Sequence, residues 1–374
     1  MKNFTIKIAI SIIFIVSLFA CNEKQSTENP ADINNDPGSF TLFNGILFYD
    51  GYAETVDEPV PTGIYRIANS KYVSKLTDEN IKKIGDNLDM EIIVKAACDN
   101  YDRIGNVFLS LVNKGENYDV NNLVSTIELA RFITPFMDKN KTPDQVPYNF
   151  EINNIAKILT DSEISSKYDF WIEFDIFGVP YAANAEISGC AGKNHTSYGT
   201  IKFTSSQKSE NTSKQMYIPI ASFEGFNNYK NTDVLGQTTR SFNVEIPSSI
   251  NNAKLYVITS NHGSNYGGEE YNRRNHFIYF DGNLIDSYIP GGKSCEPYRQ
   301  YNTQANGIYG SKPQTETEWA SFSNWCPGDA IPIRIFDLGN LNSGNHIFKI
   351  EVPDAKFVGK QGDIPLSAYI QGDK

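Results

Sequence analysis

Three short stretches of this chain set carboxylates beside aromatic rings or a base, which is the material of acid–base chemistry on a polar substrate. In Ala97-Cys98-Asp99-Asn100-Tyr101-Asp102-Arg103-Ile104-Gly105-Asn106-Val107, two acids, a cysteine and an arginine crowd the start of a strand. An Asp–Arg pair at a strand mouth is by itself most often a structural ion pair, since it costs little where water reaches it. In Phe170 to Phe177, alternation puts Phe170, Ile172, Phe174 and Ile176 on one face and Trp171, Glu173 and Asp175 on the other. The first face feeds a core; the second is either an ordinary solvated face or a wet concave surface that could hold a sugar. In the third stretch, the glycine-rich loop Gly263 to Gly268 leads into Glu269-Glu270-Tyr271-Asn272-Arg273-Arg274-Asn275-His276. Such a loop lets backbone approach a ligand closely, while Glu–Arg alternation alone usually means surface ion pairs.

Other chemistries lack their residues. The four histidines, His195, His262, His276 and His346, show neither His-x-His nor His-Glu-x-x-His spacing, so a histidine-built metal site is not expected. No matched Cys–His pair offers a thiol nucleophile. With 44 acids against 33 bases the formal charge is -11, and without a basic cluster nucleic acid is not an expected partner.

The elements that must position these residues read as strands. Aromatic content is high, with 21 Tyr and 23 Phe, and the 374 residues suit a short leader and two domains. Strands are expected at Ile92 to Val94, Val107 to Val112, Phe170 to Phe177, Lys254 to Ile258, Phe277 to Phe280, Pro332 to Phe336 and His346 to Val352. Helical patterning is confined to Asn80–Asn87 and Glu151–Ile164. Turns are expected at Asp281-Gly282 and near Gly339-Asn340. Many short strands with long connections point to an all-β, jelly-roll-like fold. The polar stretch Ser205 to Met216 marks the boundary, giving domains at 39–207 and 208–374.

Ahead of the body, Lys2 and Lys7 precede an apolar run from Ile8 to Phe19, too short to span a bilayer as a helix and typical of a signal peptide over residues 1–20. Its end, Leu18-Phe19-Ala20-Cys21, resembles the bacterial lipobox, which implies acylation of Cys21, a flexible tether over 21–38 and an exported lipoprotein of the outer membrane. Four cysteines then remain, and two disulfides are expected in an exported chain. Three pairings are possible; proximity in sequence favours Cys295 with Cys326, leaving Cys98 with Cys190.

Four segments in order carry a resemblance: Cys98-Asp99-Asn100-Tyr101-Asp102-Arg103, Arg131-Phe132-Ile133-Thr134-Pro135-Phe136, Glu270-Tyr271 ahead of Arg274-Asn275-His276-Phe277-Ile278, and Trp325-Cys326-Pro327-Gly328 running into Pro332-Ile333-Arg334-Ile335. Together they resemble the peptide-N-glycosidase F family. The resemblance implies two side-by-side jelly-roll domains, each an eight-stranded antiparallel sandwich, and hydrolysis of the amide joining an N-linked glycan to asparagine. Its substrates would be N-glycosylated peptides or proteins, with no cofactor or metal; apart from the resemblance, a monomer is the default expectation. Carried over by motif, Asp102 is the principal acid/base, Glu270 the second carboxylate and Glu173 the third. Tyr101, Trp171, Tyr271 and Trp325 would stack on sugar faces, and Arg103 would bind glycan or orient Asp102.

The chain also departs from the family pattern. Tyr101 and Tyr271 stand for tryptophans, Asp175 for a tryptophan, Phe322 for an arginine, and Gly268 and Asn272 for cysteines. Arg273 is the candidate replacement for the lost arginine. A glycan-binding lipoprotein without catalysis is the alternative reading; a copper monooxygenase on a similar architecture would need more histidines.

Overall fold

The computed structural model describes residues 37–206, 214–227, 236–264, 268–305, 308–322, 324–357 and 362–374. The signal peptide, Cys21, nearly all of the tether and the expected boundary at 207/208 lie outside the described residues.

The first part of the chain folds into nine strands: β1 (Ser39–Tyr49), β2 (Ile64–Ala68), β3 (Lys71–Lys75), β4 (Asp89–Ala96), β5 (Ile104–Asn113), β6 (Ser125–Ile133), β7 (Gln145–Glu151), β8 (Tyr168–Ile176) and β9 (His195–Thr204). They form two antiparallel sheets, ordered β1-β9-β4-β7 and β2-β3-β8-β5-β6. Alternation decides which face turns inward: in β4, Met90, Ile92, Val94 and Ala96 are buried while Asp89, Glu91, Ile93 and Lys95 look outward. Phe170, Ile172, Phe174 and Ile176 of β8 are all buried in the same core, as the pattern required. Each fully buried side chain of that size contributes roughly 1.5–3 kcal/mol. The sandwich has one strand beyond the expected eight, because the short β2–β3 hairpin extends one sheet edge.

The second part adds β10 (Gln215–Asn227), β11 (Thr239–Ile246), β12 (Ile250–Thr259), β13 (His276–Phe280), β14 (Asn283–Tyr288), β15 (Arg334–Leu341), β16 (Gly344–Glu351) and β17 (Asp363–Asp373). Sheets β10-β17-β12-β15 and β11-β16-β13-β14 enclose a separate core that includes Leu255, Val257, Phe348 and Ile370. The chain thus has the two antiparallel sandwiches of a double jelly roll.

Asp281 and Gly282 make the tight β13–β14 turn with φ of 49° and 78°, a two-residue connection whose positive φ angles suit the twist of the strands it joins. The expected turn near Gly339 lies instead inside β15, where Gly339 (φ 66°) sits at a register shift, and the chain reverses after Leu341. The expected helix over 151–164 is two helices, Asn153–Leu159 and Ser162–Lys167. Asp161 divides them, because its carboxylate caps the second by accepting from the Glu163 and Ile164 N–H groups at 2.8 and 3.1 Å.

Both favoured disulfides are present, Cys98–Cys190 and Cys295–Cys326. The two sandwiches meet through a buried polar network centred on β6. Arg131 pairs with Glu128 at 2.7 and 2.8 Å and donates to Ser260 Oγ and the Pro365 carbonyl, both at 2.8 Å. The Ser367 hydroxyl donates to the same glutamate.

Candidate active site

Asp102 reaches the site at the end of a loop that is tied on all sides. Cys98 anchors the loop covalently, and Asp99 takes the Val179 N–H at 2.7 Å and the Tyr101 N–H at 3.1 Å. Asp99 also holds Arg103 through both carboxylate oxygens, at 2.7 and 3.1 Å, a paired geometry that fixes the guanidinium plane. Thr134 closes the loop on β6: its Oγ1 accepts from the Arg103 N–H and its own N–H donates to the Arg103 carbonyl, each at 2.8 Å. Gly178 lets this packing happen, since a Cβ there would lie 2.9 Å from the Asp99 carboxylate and 2.7 Å from Thr196.

Glu270 comes from the second sandwich. Its backbone N–H meets the Gly263 carbonyl, and its carboxylate accepts from the Gly263 N–H, both at 3.3 Å. The Asn324 side-chain amide donates to the carbonyls of Glu269, Glu270 and Asn272 at 2.9, 2.7 and 3.2 Å, clamping the turn. Neighbouring Glu269 is fully buried and structural, for it pairs with Arg274 and accepts from the Lys356 and Phe357 N–H groups.

The two acids feel each other. Burial pushes the Asp102 carboxyl up to about 7, the charge of Glu270 pushes the same way, and the Arg103 guanidinium opposes both. Burial also raises Glu270, against a hydrogen bond from the Tyr271 hydroxyl and the one from Gly263. A carboxyl that exchanges its proton near neutrality, beside a second carboxylate, can take a proton from water and return it to a leaving group. His262 is not a competitor for that role: burial first, and Arg131 second, press it down to about 3.

The remaining expected site residues divide sharply. Tyr101 and Tyr271, at 40% and 41% exposure, are the rings open to a ligand. Trp325 is buried, with its indole N–H on the Asn261 carbonyl at 2.9 Å and its ring tilted against His262, so it forms a wall and offers no open stacking face. Trp171 is likewise buried, under Tyr65 and Tyr118, rather than lying on a wet face.

Glu173 does not join Asp102 and Glu270. It pairs across the sheet with Phe108, four residues into β5, so roughly 13 Å of strand separates it from the mouth where Asp102 stands. There it is buried and bound by Ser110 and by Lys71 at 3.2 Å. Arg103 is held by Asp99 rather than Asp102. Arg273 is committed to the carbonyls of Pro290, at 2.8 Å, and Ala320, so it does not replace the arginine missing at Phe322.

Sequence reasoning did not single out Thr134, Asn261 or Asn324. Thr134 lies inside a matched segment, but nothing in one sequence marks a threonine as a loop clamp. Asn261 is fully buried, and its side-chain amide has no hydrogen-bond partner among the described residues. Among the described residues no group of three or more His, Cys, Asp or Glu side chains is arranged to hold a metal.

Fold and geometry together define a double jelly-roll protein with a carboxylate pair contributed by both sandwiches. The family model for peptide-N-glycosidase F, N terminal, matches residues 40–190, and that for peptide-N-glycosidase F, C terminal, matches residues 228–371. The chain belongs to the peptide-N-glycosidase F family. Peptide-N(4)-(N-acetyl-beta-D-glucosaminyl)asparagine amidase F of Elizabethkingia miricola is 25% identical over 262 residues, which cover 66% of this chain and 61% of that relative. Among solved structures, PNGF-II superposes with a TM-score of 0.64 at 19% identity, over 89% of this chain and 65% of that one. PNGase F, a glycosylasparaginase from Flavobacterium meningosepticum, gives 0.54 at 15% identity, over 90% and 95%. These structural likenesses show the fold; the chain spans less than two thirds of the length of the curated relative and of PNGF-II.

Proposed function

We propose that this protein hydrolyses the amide between an N-linked glycan and asparagine. The observation that carries the reading is the Asp102 carboxyl, pushed up to about 7 beside Glu270. Ionised Asp102 takes a proton from the attacking water, whose oxygen bonds to the side-chain carbonyl carbon. As the C–N bond breaks, its electron pair stays on nitrogen, and Asp102 returns the proton there. The products are aspartate in the peptide and a glycosylamine, which later loses ammonia. Glu270 holds the water, and its charge makes Asp102 the stronger base. Tyr101 and Tyr271 offer the sugar their flat, half-exposed faces.

A second reading, glycan binding without turnover, draws on Phe322 in place of an arginine and on Arg103 being occupied by Asp99. Glycan release from a panel of N-glycopeptides, measured beside binding, separates the two. Wild type should release glycan, whereas Asp102→Asn and Glu270→Gln should bind glycopeptide but release little. Binding by folded wild type with no release across the panel would favour the second reading.

For the cell, we propose an exported monomer held to the outer membrane through acylated Cys21. Labelling with a radioactive or clickable fatty acid should mark the wild-type chain and leave Cys21→Ser unlabelled; equal labelling would reject the anchor.

A further inference from the structure

Behind Trp325, on the side of the C-terminal sandwich, lies a cavity of about 100 Å³ lined by Arg334, Lys293, Thr259, Asn324 and Trp325 among others. That is room for about three waters or one small polar group. Its charges do not balance. Lys293 is neutralised by an ion pair with Asp329, which also accepts from the Tyr298 hydroxyl at 2.5 Å. Arg334 has no such partner: its guanidinium lies 3.7 Å from the centre of the Tyr288 ring and makes no hydrogen bond or ion pair with any described residue. Its Nη1 is buried outright, and Asp286, the acid whose charge it feels, is exposed and makes no ion pair with it among the described residues.

An arginine keeps its charge at any ordinary pH, and taking that charge out of water without a counter-ion is unfavourable. The Tyr288 ring offers partial compensation, and the Tyr288 hydroxyl, engaged with Thr259 Oγ1 at 2.9 Å, fixes the ring in place. The buried Nη1 of Arg334 is still without an acceptor, although the arginine as a whole is only half-buried. Asn324 gives an anion no donor, because its amide nitrogen is spent on the Glu269–Asn272 turn and its buried Oδ1, without a partner among the described residues, is itself an acceptor.

We infer that this cavity is a carboxylate-binding subsite in which Arg334 takes both oxygens of the anion. A planar two-oxygen anion fits the arginine fork, and the volume admits one carboxylate group rather than a whole sugar. Asn324, which lines the cavity, also clamps the turn that carries Glu270, which places the carboxylate on a molecule lying near the acid pair. Two sources share this chemistry: an acidic amino acid of a peptide, or an acidic sugar.

The test uses saturation-transfer NMR on the folded full-length protein, with acetate and its neutral isostere acetamide as probes. Acetate should bind at least about tenfold more tightly than acetamide, and Arg334→Gln should remove that preference while Arg334→Lys keeps part of it. Equal binding of acetate and acetamide by wild type would overturn the site, and this arm stands even if the glutamine variant fails to fold. Unchanged acetate binding by folded Arg334→Gln would assign Arg334 to packing on Tyr288 alone. Competition against acetate by an N-acetylated glutamyl peptide amide or by the methyl glycoside of N-acetylneuraminic acid then names the source. Because no turnover is measured, the subsite and the amidase reading fail independently.

Discussion

At the scale of single residues, Asp102 would tie the proposed activity to stability through one proton. Its pKa rises from an ordinary 3.8 to about 7 in the fold, so the folded protein holds this proton more tightly than the unfolded chain does. The stability it contributes is therefore complete below about pH 4 and is lost as pH rises through about 7. Asp102→Asn removes the titration. At pH 8 the variant should exceed wild type in stability by at most about 4 kcal/mol, with the gap closing toward pH 4. Urea unfolding at the two pH values checks this, and a gap that ignores pH would contradict it. For turnover, kcat/KM should climb with pH through about 7 as Asp102 ionises. Since the charge of Glu270 raises Asp102, whatever activity Glu270→Gln retains should rise at a lower pH than in wild type. The segments around these two acids were legible in the sequence, and the structure brings the acids close enough for the charge of Glu270 to act on Asp102. Arg103's choice of Asp99 over Asp102 was not, because it depends on how the loop turns, and both acids lie within reach of a flexible side chain.

At the scale of elements, the loop that presents Asp102 depends on its staple. Cys98–Cys190 joins residues 92 apart, and closing so long a loop contributes roughly 4–5 kcal/mol in the chain-entropy picture. Replacing both cysteines by serine should lower the unfolding free energy by an amount of that order, measured in urea, and should reduce turnover more than binding because the loop slackens. The strands with clean alternation or strong β-branching, β4, β5, β8, β12, β13, β15 and β16, could be read directly. Others hid for physical reasons. β1 carries repeated register shifts and a left-handed Gly45, which scramble its period of two. β17 is buried along nearly its whole length, so it shows no polar face to alternate against. The same limit explains Trp171 and Glu173. Alternation correctly put them opposite the core face, but it could not foresee Tyr65, Tyr118 and Lys71 covering that face.

At the scale of the whole molecule, the acid pair exists only while the two sandwiches keep their relation, and Arg131 is central to it. Residues three apart on a regular strand point to opposite faces, yet Arg131 and Glu128 meet because β6 shifts register between Ala130 and Glu128. No periodicity argument finds such a pair. Arg131→Met strands a buried carboxylate and releases the hydrogen bonds to Ser260 and Pro365, so it should cost about 3–5 kcal/mol by urea unfolding. Turnover per folded molecule should fall as well, since Asp102 and Glu270 stand on opposite sides of this contact. A loss below about 1 kcal/mol would mean that the network does not hold the sandwiches together.

The most direct single measurement is mass spectrometry of the peptide product after incubating folded protein with N-glycopeptides in heavy-oxygen water. Asparagine should become aspartate carrying one heavy oxygen with wild type, and should remain unchanged with Asp102→Asn. Heavy-oxygen aspartate formed equally well by the variant would contradict the assignment of the acid pair, and intact glycopeptide from wild type would contradict the amidase itself.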